Sequence, residues 1–219
     1  MKKVTLLLAL LAGSTTLVRA QNTVQLGVKT GLSVAVLDGA INTGATYKSG
    51  LHAGGMLRWR PTARIAFQPE FTFSQQGANS EVPAGPVVLE SKIKLSYFNV
   101  PLLLKVYLGK VVNLQVGPQF GLLLSGRQVG QTGYYTGSGG SGYRTEDLDV
   151  TEGYKGDVAG CLGLGADLKN GLVLAARANY GFTNINNNEQ EQQFRDAYSI
   201  GGLHNRVLEF SVGYFFGPK

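Results

Sequence analysis

The chain has 219 residues, of which 43% are hydrophobic and only 16% charged, with 31 glycines, one cysteine and two histidines. Its charged fraction falls well below the ~25% of soluble domains, and its glycine content is about twice the usual level. No Gly-X-Y period is present, which excludes collagen, and an aromatic content of 10% argues against a disordered chain. A single cysteine excludes a disulfide framework and, with two histidines, leaves little for a zinc site. The formal charge is +6, but Lys2, Lys3 and Arg19 lie in a removable leader; without them 17 basic residues face 14 acidic ones, or +3. No Lys/Arg cluster carries interleaved aromatics, so no nucleic-acid partner is expected.

Met1-Lys2-Lys3 forms a basic start, Val4 to Ala12 an apolar stretch, and Val18-Arg19-Ala20 a small-residue cleavage site before Gln21. These features define a secretory signal peptide over 1–20, leaving 21–219 as one mature domain. No cysteine follows the cleavage site, so no lipid anchor is expected. Past the leader, the nearest approach to a membrane helix is Val111 to Gly126, which carries Asn113, Gln115, Pro118 and Gln119. A transmembrane helix is excluded.

The mature chain instead alternates with period two, as strands with two unlike faces do. The first run is Val24 to Val34. In the second, Leu51, Ala53, Gly55, Leu57 and Trp59 oppose His52, Gly54, Met56 and Arg58. In the third, Ile65, Phe67, Phe71 and Phe73 oppose Ala66, Gln68, Glu70 and Thr72. In the fourth, Phe98 to Val106 on even positions oppose Asn99, Pro101, Leu103 and Lys105. The fifth has Val112, Leu114, Val116, Phe120, Leu122 and Leu124 on one face. The sixth sets Val158, Leu162, Leu164 and Leu168 against Asp157, Cys161, Gly165 and Asp167. The seventh sets Leu172, Leu174, Ala176, Tyr180 and Phe182 against Arg177, Asn179 and Gly181. The last sets Leu208 to Phe216 on even positions against Glu209, Ser211 and Gly213. About eight strands of roughly 9–14 residues suit tilted membrane crossings.

Short connections (60–63, 109–110, 169–171) alternate with long ones (37–49, 77–90, 127–154, 183–203), as in an up-and-down barrel with short turns at one rim and long loops at the other. A Greek-key sandwich would not alternate so regularly. The apolar face has no charge in its central portion and is expected to meet lipid. The other face, diluted with Gly, Ala, Ser, Asn and Gln, suits the narrow lumen of eight strands. Trp59, Phe67, Tyr214 and Phe216 near the turns, and Phe73, Phe98, Tyr180 and Phe182 near the loops, form two expected aromatic girdles. Pro69, Pro101 and Pro118 fall inside strands and are expected at bulges. The phase change between Ile93-Leu95-Tyr97 and Phe98-Val100-Leu102 predicts a bulge nearby.

The stretches LGVKTGLS (26–33), FQPEFTFSQQG (67–77), YFNVPLLLKVYLG (97–109), VGPQFGLLLSG (116–126), 156–185 and LEFSVGYFF (208–216) together resemble the outer-membrane beta-barrel ("porin family") domain common in Bacteroidota, which includes PorT-like proteins. The resemblance spans most of 21–216. It implies an eight-stranded outer-membrane barrel with strand prolines, and no particular substrate. The Gly- and Tyr-rich third loop and the trailing Gly-Pro-Lys depart from the family pattern.

Arg58, Glu70, Lys105, Asp157, Asp167, Arg177 and Glu209 fall on the lumen face, three positive and four negative. They are expected to pair into a structural network, because unpaired buried charge is costly; a proton or ion path is the alternative. His52 and His204 are the only histidines available to a hydrolase of the lipid-modifying kind; Glu209 lies five residues after His204, and nothing fixes a serine beside either. Glu146, Asp147, Asp149 and Glu152 lack a calcium-loop spacing and read as a solvated loop. Gly137 to Gly142 matches GxGxxG without a strand-to-helix context and reads as a flexible loop. Cys161 reads as a small lumen residue.

No catalytic, metal or cofactor residues are expected. The chain reads as an all-β, eight-stranded antiparallel up-and-down transmembrane barrel in the outer membrane. It is expected to be monomeric, with both termini periplasmic and no room for a peptidoglycan-binding domain. Its expected partners are outer-membrane lipid and, through four mobile loops, envelope or secretion proteins. A structural, surface-interaction or secretion-accessory role follows, with a narrow gated channel and a lipid-modifying enzyme as alternatives.

Overall fold

Ten strands and two helical turns follow one another along residues 23–39, 45–84, 87–135 and 141–217, which a computed structural model describes. The leader and Gly137 to Gly140 lie outside the described residues. The strands are β1 (Thr23–Asp38), β2 (Ala45–Thr46), β3 (Lys48–Arg60), β4 (Ile65–Ala84), β5 (Val87–Leu108), β6 (Val112–Tyr135), β7 (Ser141–Asp149), β8 (Asp157–Asp167), β9 (Leu172–Gly181) and β10 (His204–Phe216). A 3₁₀ turn covers Thr151–Gly153, and a helix α1 covers Glu189–Ala197.

Eight of these strands form a ring in the order β1-β3-β4-β5-β6-β8-β9-β10, every neighbour antiparallel, and β1 pairs with both β3 and β10 to close it. The expected up-and-down barrel is therefore present, with its short turns at one rim and its long connections at the other. Closure leaves the barrel wall without an open edge.

Alternation places the two faces as read from the sequence. Leu26, Leu32, Phe67, Phe73, Phe98, Leu104, Leu114, Leu164, Leu174 and Phe210 are exposed on the outside, whereas Gln25, Lys29, His52, Gln68, Glu70, Asn113, Gln115 and Arg177 are buried inside. Such a protein is apolar outside and polar inside, the reverse of a soluble domain and the arrangement that hydrocarbon requires. Small residues make the interior fit. A Cβ on Gly165 would sit 2.3 Å from the Gln115 amide nitrogen and 2.7 Å from the Asn113 side-chain oxygen. Gly171, at φ +95°, permits the tight β8–β9 turn.

Three expectations change. The prolines are not at bulges. Met56↔Glu70 and Trp59↔Phe67 share one register across Pro69, as do Pro69↔Leu102 and Thr72↔Asn99 across Pro101, and Pro101↔Gln119 and Leu104↔Val116 across Pro118. Each proline keeps a partner on one side (Leu102, Gln119 or Gly160) and turns the side lacking an N–H towards a short gap in the other ladder. The one irregularity of register in the β5–β6 ladder lies between Ser96↔Ser125 and Tyr97↔Leu123, where β6 carries the extra residue Leu124. A bulge thus occurs near the expected place, but β5 itself does not change face: Leu95 and Tyr97 point inward like Asn99, into an apolar part of the lumen.

Nor are the long connections simply loops. β4 and β5 stay paired from Thr72↔Asn99 through Ala84↔Val87, and β6 runs on past its last β8 partner, Gly121↔Asp157, to pair with β7. With β2 on β4, these segments form a sheet β2-β4-β5-β6-β7 standing beyond the barrel rim. The fourth connection contains α1, capped by Asn188, whose side chain accepts from the Gln190 and Glu191 N–H groups at 3.0 and 3.2 Å. Buried Arg195, in its last turn, bonds Glu191 and the carbonyls of Gly39 and Gly201.

Candidate functional site: the barrel lumen

The lumen is built in layers. At the turn end, β3, β5, β6 and β8 converge on Asp167. Its carboxylate accepts from the Tyr107 hydroxyl at 2.5 Å, Asn113 at 3.2 Å and Lys105 at 3.4 Å, and is paired with Arg58. Arg58 also donates to Gln25 and stacks over the Phe215 ring at 4.0 Å. Met56, Val173 and Phe215 pack together beside this cluster.

At mid-height, Glu70 on β4 is the hub. Arg177 on β9 grips it with two nitrogens at 3.0 and 3.1 Å, a bidentate pair, and Lys29 on β1 approaches at 2.9 Å. Gln68 donates to the same carboxylate at 2.7 Å. Arg177 also donates to Gln115 at 3.3 Å and lies 3.8 Å from Glu209, its cross-strand neighbour on β10. All four charged side chains are at most 4% exposed. The cavity left among them measures about 10 Å³, room for a single water.

The loop end is closed differently. Leu37, Ala78, Leu95, Tyr97, Ile185 and Leu203 form a buried apolar cluster, flanked by Ile93, Leu123 and Tyr154. Two of these, Ile185 and Leu203, come from the fourth connection, folded down into the mouth and joined by a backbone bond of 2.8 Å. The third connection is tied to it by Lys155 N–H to Ile185 O at 2.9 Å and Asn187 N–H to Gly153 O at 2.9 Å. Burial pushes the Tyr154 hydroxyl up to about 12, so that side chain stays neutral at physiological pH.

Six of the seven charges expected to share the lumen meet in these two polar layers. Asp157 does not: it lies near the loop end, hydrogen-bonded to Asn205 at 3.2 Å, with its other oxygen unpartnered. Two partners went unrecognised in the sequence. Lys29 stands on the polar face of the first run, and including it turns three positive charges against four into four against four. Tyr107 continues the inward series Leu103-Lys105 by one more step of two.

The histidines separate. His52 lies in the lumen with Nε2 2.9 Å from Ser211 Oγ, the serine neighbour that the sequence could not supply. Its Nδ1 has no partner among the described residues, and Ser211 also borders the small mid-lumen cavity. His204 and Glu209 differ by an odd number of positions on β10 and lie on opposite faces. In the third connection, Arg127 pairs with Asp147 at 2.8 Å, and the Thr151 side chain together with its N–H, which donates at 2.9 Å, holds the Asp149 carboxyl below the usual range. Among the described residues no three His, Cys, Asp or Glu side chains converge as metal ligands. Cys161 is buried in the lumen, 3.7 Å from the Gln119 side-chain oxygen.

A closed eight-stranded barrel, apolar outside and filled with paired charge inside, is an outer-membrane β-barrel. The chain belongs to the outer membrane protein beta-barrel domain family, whose sequence profile matches residues 19–187. A comparison with curated protein sequences found no match. Among solved structures, the chain is similar to Ail, the attachment invasion locus protein of Yersinia pestis, in complex with the heparin analogue sucrose octasulfate (13% identity over 88% of this chain and 99% of that one, TM-score 0.47). It is also similar to Neisserial surface protein A (11%, 87% and 97%, TM-score 0.48) and to CarO of Acinetobacter baumannii (12%, 85% and 97%, TM-score 0.43).

Proposed function

We propose that the protein is a closed outer-membrane scaffold, PorT-like and of the Bacteroidota type, with a structural, surface-interaction or secretion-accessory role and no enzymatic one. Residues 1–20 act as its signal peptide. The barrel is a monomer with both termini in the periplasm, so that the turn end faces the periplasm and the sheet β2-β4-β5-β6-β7 stands outside the cell. The observation that carries this reading is the division of labour along the barrel axis. The lumen is filled by paired charges and an apolar plug, which supports a rigid stalk. The long β4, β5 and β6 strands continue beyond the membrane as a sheet whose last strand, β7, pairs only with β6 among the described residues. An exposed strand edge of this kind is a ready surface for another chain. Envelope or secretion proteins are the partners expected there.

The test is to replace residues 128–148 with a short Gly-Ser linker and compare the two proteins in native outer membranes. The truncated form should keep its closed-barrel gel mobility and lose a crosslinked partner that the intact form captures. Retention of the same partner would move the contact away from the projecting sheet.

A further inference from the structure

We infer that the turn-end mouth of the barrel is a binding site for a phosphate group. A cavity of about 190 Å³ opens there, at the end opposite the projecting sheet. Arg58 and Asp167 form its floor, Phe215 contributes an apolar wall, and Arg60, Lys110 and Lys169 stand around it. Those last three cations come from three different turns, β3–β4, β5–β6 and β8–β9, yet converge on one space.

Their charge is not spoken for. The Arg58 charge is met by Asp167, whose carboxylate is already shared with Lys105, Tyr107 and Asn113. Lys110 and Lys169 have no acidic partner among the described residues, and Arg60 has none either. Arg60 is nonetheless held in place: its guanidinium donates to the carbonyls of Thr62 and Ala63 in its own turn and lies 3.9 Å over the Tyr107 ring. Among the described residues the vestibule therefore presents three positive charges without an acidic partner, one of them pre-positioned, over a floor whose single carboxylate is already shared by Arg58 and Lys105.

A phosphate group, whether a monoester carrying about −1.5 to −2 near neutral pH or the singly charged diester of a phospholipid, presents several oxygens at once to guanidinium and ammonium donors that stand on separate turns. The site also lies at the right depth for a lipid. Trp59, Tyr214 and Phe216 mark the membrane interface, and Arg60 follows Trp59 directly, so the basic ring sits at headgroup level. Either a headgroup phosphate of the inner leaflet or a soluble phosphate of the periplasm satisfies this chemistry. The orientation rests on the reading above, with turns periplasmic; binding itself does not.

The experiment uses the whole mature barrel in uncharged detergent and in nanodiscs. Inorganic pyrophosphate is titrated by calorimetry in detergent, and bound phosphatidylglycerol is counted by native mass spectrometry from nanodiscs containing it together with phosphatidylcholine. Each is repeated with Lys110→Gln/Lys169→Gln and with Lys155→Gln, an exposed lysine at the other end, as control. Saturable pyrophosphate binding weakened about tenfold in the double variant and unchanged in the control supports the site and assigns a soluble anion. Preferential retention of phosphatidylglycerol, lost in the double variant without pyrophosphate binding, supports it and assigns a lipid headgroup. Absence of both, or equal binding by the double variant, overturns it, provided that unboiled gel mobility shows the barrel folded.

Discussion

Arg177 is where the lumen is most sensitive. Its guanidinium makes the bidentate contact to Glu70 and is the one cation within 4 Å of Glu209 among the described residues. Replacing it with Ala leaves Glu70 with Lys29 and Gln68, a tolerable remainder, but leaves Glu209 buried and uncompensated. Breaking a buried pair in this way costs about 3–5 kcal/mol, far more than losing an exposed pair such as Arg127–Asp147, which contributes at most about 1 kcal/mol. Adding Glu209→Gln should recover a substantial part, because the stranded charge is gone. The sole tryptophan, Trp59, lies on the lipid-facing wall and reports insertion directly, so urea titrations of the refolded protein in micelles, followed by its fluorescence, give the three stabilities. A loss below about 1 kcal/mol for Arg177→Ala, or no recovery in the double variant, would refute the claim that paired charge holds the lumen together.

In planar bilayers the purified protein should show no sustained conductance; a steady current comparable to that of large porins would promote the channel alternative. Leu104→Arg, on the outer wall, should destabilise the barrel by about 2–4 kcal/mol if near the midplane, whereas Leu108→Arg beside the turn should cost about 0–1 kcal/mol. Urea titration reads both, and equal costs would mean that the lipid-facing assignment is wrong. Trypsin added to whole cells should cut at exposed Arg144 and spare Lys110, Lys169 and the buried Arg195; cleavage at the two turn lysines would invert the topology. Ile185→Lys should expel the plug and make Arg195 cleavable, read by mass spectrometry of the fragments, while conductance stays absent. A current appearing in that variant would show that the charge layers do not close the lumen by themselves.

The barrel wall was legible because period two reports two faces wherever both are constrained, here by lipid outside and close packing inside. Strand number, the closed ring and the in/out assignment all follow from that. The relative height of residues on different strands does not, since it depends on register. Hence Asp157 reads as one more lumen charge although it lies apart from the Glu70 and Asp167 layers, and Ser211 is invisible as the neighbour of His52. The same limit affects Gln115. On the sequence it is one more polar residue, with nothing to show what faces it across the lumen. The structure sets it against Arg177, with Lys105 bordering the same small cavity, where another cation would meet repulsion. The plug was hidden for a second reason: Leu95 and Tyr97 are apolar residues that point inward, so hydrophobicity stopped marking the lipid face at the loop end and resembled a phase change.

The two closures rest on different forces, and this bears on what the barrel is for. In the polar layers four positive charges (Lys29, Arg58, Lys105 and Arg177) face three negative ones (Glu70, Asp167 and Glu209), every one of them already paired, so an entering ion meets no free counter-charge. An ion would also have to shed its hydration in a space of about 10 Å³ and displace bonds that Arg177, Lys29 and Arg58 already make with buried carboxylates. The apolar plug is indifferent to such pairing and excludes water by packing, with the fourth connection as its removable part. A single regulated pore would need only one gate, placed where a ligand or a field could move it. Here the mid-lumen closure is made by wall side chains on β1, β4, β9 and β10 and cannot move without unmaking the barrel's own interior. The closed lumen thus supports the proposed scaffold role over transport, and the features free to vary without disturbing it are those at the two ends: the projecting sheet and the basic mouth.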